Sequence, residues 1–174
     1  MTLYHGTNRL DFMRFDMSHV EPFNIGLHFG TETAARNRID YLWQKNPTSS
    51  FRILKREVEI RNPLRVEDIF GHSYAGAFST LQDESKSIRQ SANAGLRHEI
   101  DVLANEWMAS DDDPTLTGSD SAHAEYCAKL NREIVRLFKT LGFDGLVYVN
   151  ELEDGESKAD SYVLFDVGQI CVER

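Results

Sequence analysis

Cysteine is nearly missing from this chain, with only Cys127 and Cys171 present. Two widely separated thiols make no disulfide framework, so a reducing, cytoplasmic setting is the simpler expectation. Long apolar runs are missing too. No stretch approaches the ~20 residues that span a bilayer, and the opening MTLYHGTNRL has no basic segment followed by an apolar one. Neither a membrane partner nor a secretory signal is expected. Positive charge is scarce, with 19 Lys and Arg against 28 Asp and Glu, a formal charge of −9. Phosphate backbones are gripped by Lys and Arg, so nucleic acid is not expected as the main partner. A small anionic ligand needs only a few local donors and stays open. Part of the acid excess sits in residues 111–113 and 151–156, which read as solvated loops.

Several motifs are absent as well. There is no GxGxxG, no GxxxxGK[ST] and no GxSxG, so the common nucleotide folds and the serine hydrolases lack support. The six histidines, His5, His19, His28, His72, His98 and His123, form neither HExxH nor any compact ligand spacing. No metal site is expected.

What remains is ordinary globular composition over 174 residues, 41% hydrophobic, which fits one domain spanning 1–174. A chain of that size removes about 70% of its unfolded surface from water, enough for a real core. Residues 2–5 read as a short strand stopped by Gly6, and 8–25 as a long irregular connection of the kind that often carries function. Residues 26–30 read as a strand bracketed by glycines. Thr31 or Thr33 can cap the following helix, whose apolar stripe is Ala35, Ile39, Leu42 and Trp43, with Asn46-Pro47 ending it. Residues 51–60 read as a strand whose alternation changes phase near Leu54, suggesting a bulge, and 64–70 as a connector. Leu96, Ile100, Leu103 and Trp107 predict a helix over 93–109. A second stripe of Tyr126, Leu130, Ile134, Leu137, Phe138 and Leu141 predicts a helix begun by Ser121 and stopped by Gly142. Residues 143–149, 161–165 and 168–172 read as closing strands. Strands at both ends with helices mostly between them give an α+β class.

Three segments carry the chemistry. They are Tyr4-His5-Gly6-Thr7, then Gly26-Leu27-His28-Phe29-Gly30-Thr31 followed by Ala34-Ala35, and then Gly142-Phe143-Asp144-Gly145-Leu146-Val147-Tyr148 with Ser161-Tyr162-Val163-Leu164-Phe165-Asp166 and Gln169-Ile170 beyond an acidic loop. Taken singly, His5 reads as a capping or core histidine, and His28 as the outer face of an edge strand. Taken in order, the three resemble the diphtheria-toxin-like and poly(ADP-ribose)-polymerase-like branch of the ADP-ribosyltransferases, in particular small phage and bacterial domains of polyvalent proteins. The resemblance implies a split, mainly antiparallel sheet with flanking helices, and NAD as substrate. It implies that His5 bonds a ribose hydroxyl and that the Gly6 backbone holds the nicotinamide amide. His28 takes the place of the family's stacking tyrosine, and Thr7, Gly26, Phe29 and Ser161 complete the NAD-binding set. Tyr41 is the residue considered as a second stacking aromatic.

The family's catalytic glutamate often directly precedes the last motif strand, where this chain has Ser161. A carboxylate from the acidic loop is expected instead, with Glu153 first, then Asp160. Glu151 reads as a solvated loop acid. The implied reaction is mono-ADP-ribosyl transfer to a protein or small-molecule acceptor. NAD hydrolysis, an RNA 2′-phosphotransferase, an acidic regulator of a host protein, and a non-catalytic module of the same fold are the competing expectations.

Overall fold

Leu130, Ile134, Leu137 and Phe138 recur at three- and four-residue steps, and they form the buried face of α5 (Ser121–Thr140). The helix ends where Gly142 takes φ +91 and its N–H reaches the Lys139 carbonyl, as the sequence predicts for a left-handed stop. Tyr126 departs from the expected stripe and is 44% exposed. The computed structural model describes residues 1–8, 15–17, 24–45, 47, 50–67, 73–111, 121–150, 153 and 158–171.

Among the described residues the order is β1 (Thr2–Thr7), β2 (Leu27–Phe29), α1 (Glu32–Lys45), β3 (Arg52–Glu57), β4 (Pro63–Arg65), α2 (Ser73–Gln82), α3 (Ser87–Ser91), α4 (Ala94–Asp111), α5, β5 (Gly145–Val149) and β6 (Asp160–Leu164). The class is α+β. β1 and β3 pair antiparallel as one small sheet, and β2-β6-β5-β4 form a second, in which only the β4–β5 pair is parallel. The two are joined by one antiparallel bridge, Tyr4 to Gly30. Among the described residues no helix is long and apolar enough to cross a membrane.

One face of the larger sheet lies on α2, α4 and α5, where Leu146 and Val163 meet Phe78, Ile100, Ile134 and Phe138. Phe138 and Phe165 stack there at 5.6 Å. A smaller cluster of Leu3, Leu27, Phe29, Val58, Leu164 and Ile170 fills the junction of the two sheets. Thr31 caps α1, its Oγ1 accepting from the Ala34 N–H at 3.0 Å.

Four expectations are corrected. The bulge in residues 51–60 is absent from β3, whose register with β1 is one-to-one and carries on to Val58, which exchanges both backbone bonds with Met1 at 2.8 Å and also bridges Ile170. Leu64 and Arg65, expected in a connector, belong to strand β4 beside β5. Residues 168–172 do not form a strand; Val167–Gln169 is a 3-10 turn capped by Asp166, whose side chain accepts from the Gly168 N–H. Trp43 is 53% exposed rather than on the buried stripe of α1.

Candidate functional site

The link between the sheets is brief. Tyr4 exchanges both backbone bonds with Gly30, each 2.9 Å. An antiparallel strand turns alternate residues to alternate neighbours. Tyr4 faces β2, so the Gly6 N–H and C=O, two residues on, face the same way. Yet among the described residues the pairing stops at the Tyr4–Gly30 bridge, and Gly6 is not paired with β2. The His28 carbonyl, which a longer pairing would have bound to β1, accepts instead from His5 Nδ1 at 2.7 Å.

That bond fixes the chemistry of His5. A carbonyl accepts only, so Nδ1 carries the hydrogen and Nε2 keeps its lone pair. Burial lowers the imidazole pKa more than the His28 carbonyl raises it, and the charge of Arg38 lowers it further. His5 is therefore a neutral acceptor at neutral pH. Its ring lies edge-on to Phe15 at 5.6 Å and tilted on Phe29 at 5.4 Å.

His28 points the other way. Period-2 alternation sets its ring on the face of β2 opposite Phe29, 3.3 Å from the Tyr148 hydroxyl through Nδ1. Its pKa is pushed down to about 4, first by burial and then by His5 and Arg38. On the same face, Ser161 stands opposite Tyr148 across β5 and β6. Its Oγ accepts from Asn150 Nδ2 at 3.1 Å, and the same nitrogen donates to Glu153 Oε2 at 3.1 Å. The Glu153 N–H donates to Asn150 Oδ1 at 2.8 Å, its carbonyl accepts from Asn37 Nδ2 at 2.6 Å, and its Oε1 lies 3.8 Å from Arg38 Nη1. Hydrogen bonds and one strand pairing thus link His5 to the His28 backbone, the His28 ring to Tyr148, Tyr148 to Ser161 across β5 and β6, and Ser161 through Asn150 to Glu153.

The remaining expected residues fall elsewhere. Asp160 alternates with Ser161 and faces the opposite side of β6, where Arg65 grips both its oxygens at 2.9 and 2.6 Å. Phe29 is core. Gly6 is glycine for packing, since a Cβ there would stand 2.6 Å from the Ala35 carbonyl of α1. Gly26 is held by close approach to the Leu164 carbonyl. Thr7 is buried at the end of β1. Tyr41 is exposed on α1 with the Arg38 guanidinium 5.5 Å from its ring centre. Glu151 lies outside the described residues. Among those described, no cluster of His, Cys, Asp or Glu has metal-holding geometry. Three participants were given no role from the sequence: Asn150, Arg38, and Tyr148, which ends a quoted segment. Asn-x-x-Glu just after a strand is the pattern of a side-chain cap and was the available signal for Asn150.

No known protein family, curated protein or solved structure matches the chain.

The depressed His28 has a consequence for stability. Below the unfolded value near 6.5 the unfolded chain takes up a proton that the folded chain refuses until about pH 4. Stability therefore falls as pH falls through that window. The shift sets an upper bound of about 2 kcal/mol lost between pH 7 and pH 5. Urea unfolding at the two pH values checks this, and His28→Gln should flatten the difference. His5 acts in the same direction.

Proposed function

We propose that this protein is an NAD-dependent ADP-ribosyltransferase that moves ADP-ribose from NAD to a protein or small-molecule acceptor and releases nicotinamide. The single observation that carries this reading is the linked set from His5 to Glu153, which gathers the three resembling segments and a carboxylate across β2, β6 and β5 of a split sheet. The split itself favours the ADP-ribosyltransferase fold. The Gly6 backbone pair suits a carboxamide, which needs one donor and one acceptor. A neutral His28 offers a flat face that does not repel the cationic nicotinamide ring. His5 Nε2 accepts from a ribose hydroxyl.

The bond from ribose C1′ to the ring nitrogen breaks with its electron pair leaving on nicotinamide, and C1′ gains oxocarbenium character, as in glycoside cleavage. A carboxylate stabilises that charge only as it develops, which is the condition for catalysis. The acceptor then attacks C1′ and gives up its proton. A second reading, an NAD-binding module without turnover, is favoured by one residue: Ser161 stands where the family carries its acid.

Incubation with NAD labelled in the adenylate and a cell lysate decides between them. Label on macromolecules or small acceptors supports transfer. Free ADP-ribose alone means hydrolysis. NAD-dependent thermal stabilisation without turnover means the binding module, and no effect of NAD removes both.

A further inference from the structure

Asn150 is 3% exposed, follows directly on β5, and spends both ends of its amide on Glu153. The orientation of that amide is fixed by its neighbours. The atom facing the Glu153 N–H must be the oxygen, because only an acceptor can bond there, so Nδ2 is turned to the Glu153 carboxylate and to Ser161 Oγ. A residue that only capped the loop would need the Oδ1 contact alone. The second bond, to Oε2, acts on the side chain and holds it in a direction. Asn37 of α1 binds the Glu153 carbonyl at 2.6 Å and Arg38 stands 3.8 Å from Oε1, so the carboxylate is approached from two elements, with the buried amide as its tightest side-chain partner.

We infer that Asn150 is a positioning residue that sets the direction of the Glu153 carboxylate toward the sheet face shared by Ser161, Tyr148 and His28. The inference rests on the proposed reaction for its effect on rate, but its geometry is testable without turnover. Asn150 does not touch the reacting atoms; it acts through Glu153. Ser161 completes the frame by accepting, through Oγ, the other hydrogen of Nδ2, which keeps the amide from rotating away.

Two substitutions separate aiming from capping. Asn150→Asp keeps an oxygen for the Glu153 N–H but removes the donor and adds a negative charge beside Oε2. Asn150→Ala removes both contacts. The first measurement is by NMR: exchange of the Glu153 amide and the shift of its carboxyl carbon. Both variants should move the carboxyl resonance, while only the alanine should lose amide protection. An unmoved carboxyl resonance in both variants overturns the inference whatever the enzyme does. The second measurement is steady-state NAD turnover. Removing one hydrogen bond to a charged group corresponds to about a tenfold to hundredfold loss of kcat, with KM for NAD changed far less and with Asn150→Asp as impaired as Asn150→Ala. Wild-type kcat in Asn150→Asp overturns the positioning role. Absence of turnover in the wild type contradicts the proposed function and not the geometry, which the NMR arm decides.

Discussion

Glu153→Gln should cut turnover by orders of magnitude while NAD still binds. The substitution is isosteric, and the bonds that hold residue 153 in place mostly belong to its backbone: the N–H to Asn150 and the carbonyl to Asn37. Glutamine keeps both, and its amide oxygen can still accept from Asn150 Nδ2. Only the charge is lost. The ion pair with Arg38 is long at 3.8 Å and half-exposed, so its loss should change stability by less than about 1 kcal/mol. Without the carboxylate the charge developing at C1′ has no counter-charge from this residue. By the measure of a preorganised electrostatic group, kcat should fall about 10²–10³-fold, while the NAD dissociation constant stays within a few-fold. Single-turnover kinetics with calorimetric titration separates the two quantities. Full activity in this variant would move the catalytic role away from Glu153; Asp160 would be a poor successor, because Arg65 holds both its oxygens on the other face of β6.

Gly26→Ala should be the most damaging methyl that can be added beside the site. The new Cβ would stand 2.3 Å from the Leu164 carbonyl and 2.8 Å from Val163 Cγ1. The first of these belongs to the backbone of β6, which is paired on both sides and cannot step aside. Overpacking of a side-chain site costs about 1–3 kcal/mol, and a clash with sheet backbone should reach the top of that range. At about 2–4 °C for each kcal/mol, the midpoint should drop on the order of 10 °C. Gly95→Ala is the matched control. Its nearest neighbour is Asn93 Oδ1 at 3.4 Å, and it lies in the first turn of α4. There the methyl should be neutral or stabilising by up to about 1 kcal/mol. Thermal unfolding followed by circular dichroism gives both numbers. Equal effects from the two would mean that β2 is not packed on β6 as described.

The sequence spoke most clearly where one element carried its own pattern. α5 was legible because its buried residues repeat at helical spacing and Gly142 supplies the stop. Thr31 was legible as a cap because a short polar side chain precedes Glu32 and a helical run. β4 was not, because three residues make no period and its partner β5 lies far along the chain. α2 was missed for a similar reason. SYAGAFSTLQ has weak amphipathicity, and its Gly76 is explained only by the Glu67 carbonyl, which a Cβ would meet at 1.9 Å.

The candidate site divided along the same line. His5, Gly6, His28 and Ser161 were legible as types within ordered motifs. That His5 bonds the His28 backbone, that the two rings lie on opposite sides, and that Asn150 joins Ser161 to Glu153 all depend on pairing register, which a single chain of letters does not display. The glycines taught the opposite lesson. Gly6 and Gly26 were singled out for the ligand, and each has a packing reason of its own in α1 or β6.

The most direct test of the central claim is a crystal structure with NAD, or with nicotinamide soaked at saturating concentration. The carboxamide should pair with the Gly6 backbone and the ring should lie against His28, and in the NAD complex a ribose hydroxyl should meet His5 Nε2 with the Glu153 carboxylate near C1′. Ligand bound elsewhere, or no ligand at Gly6 and His28 at saturation, would contradict the proposal.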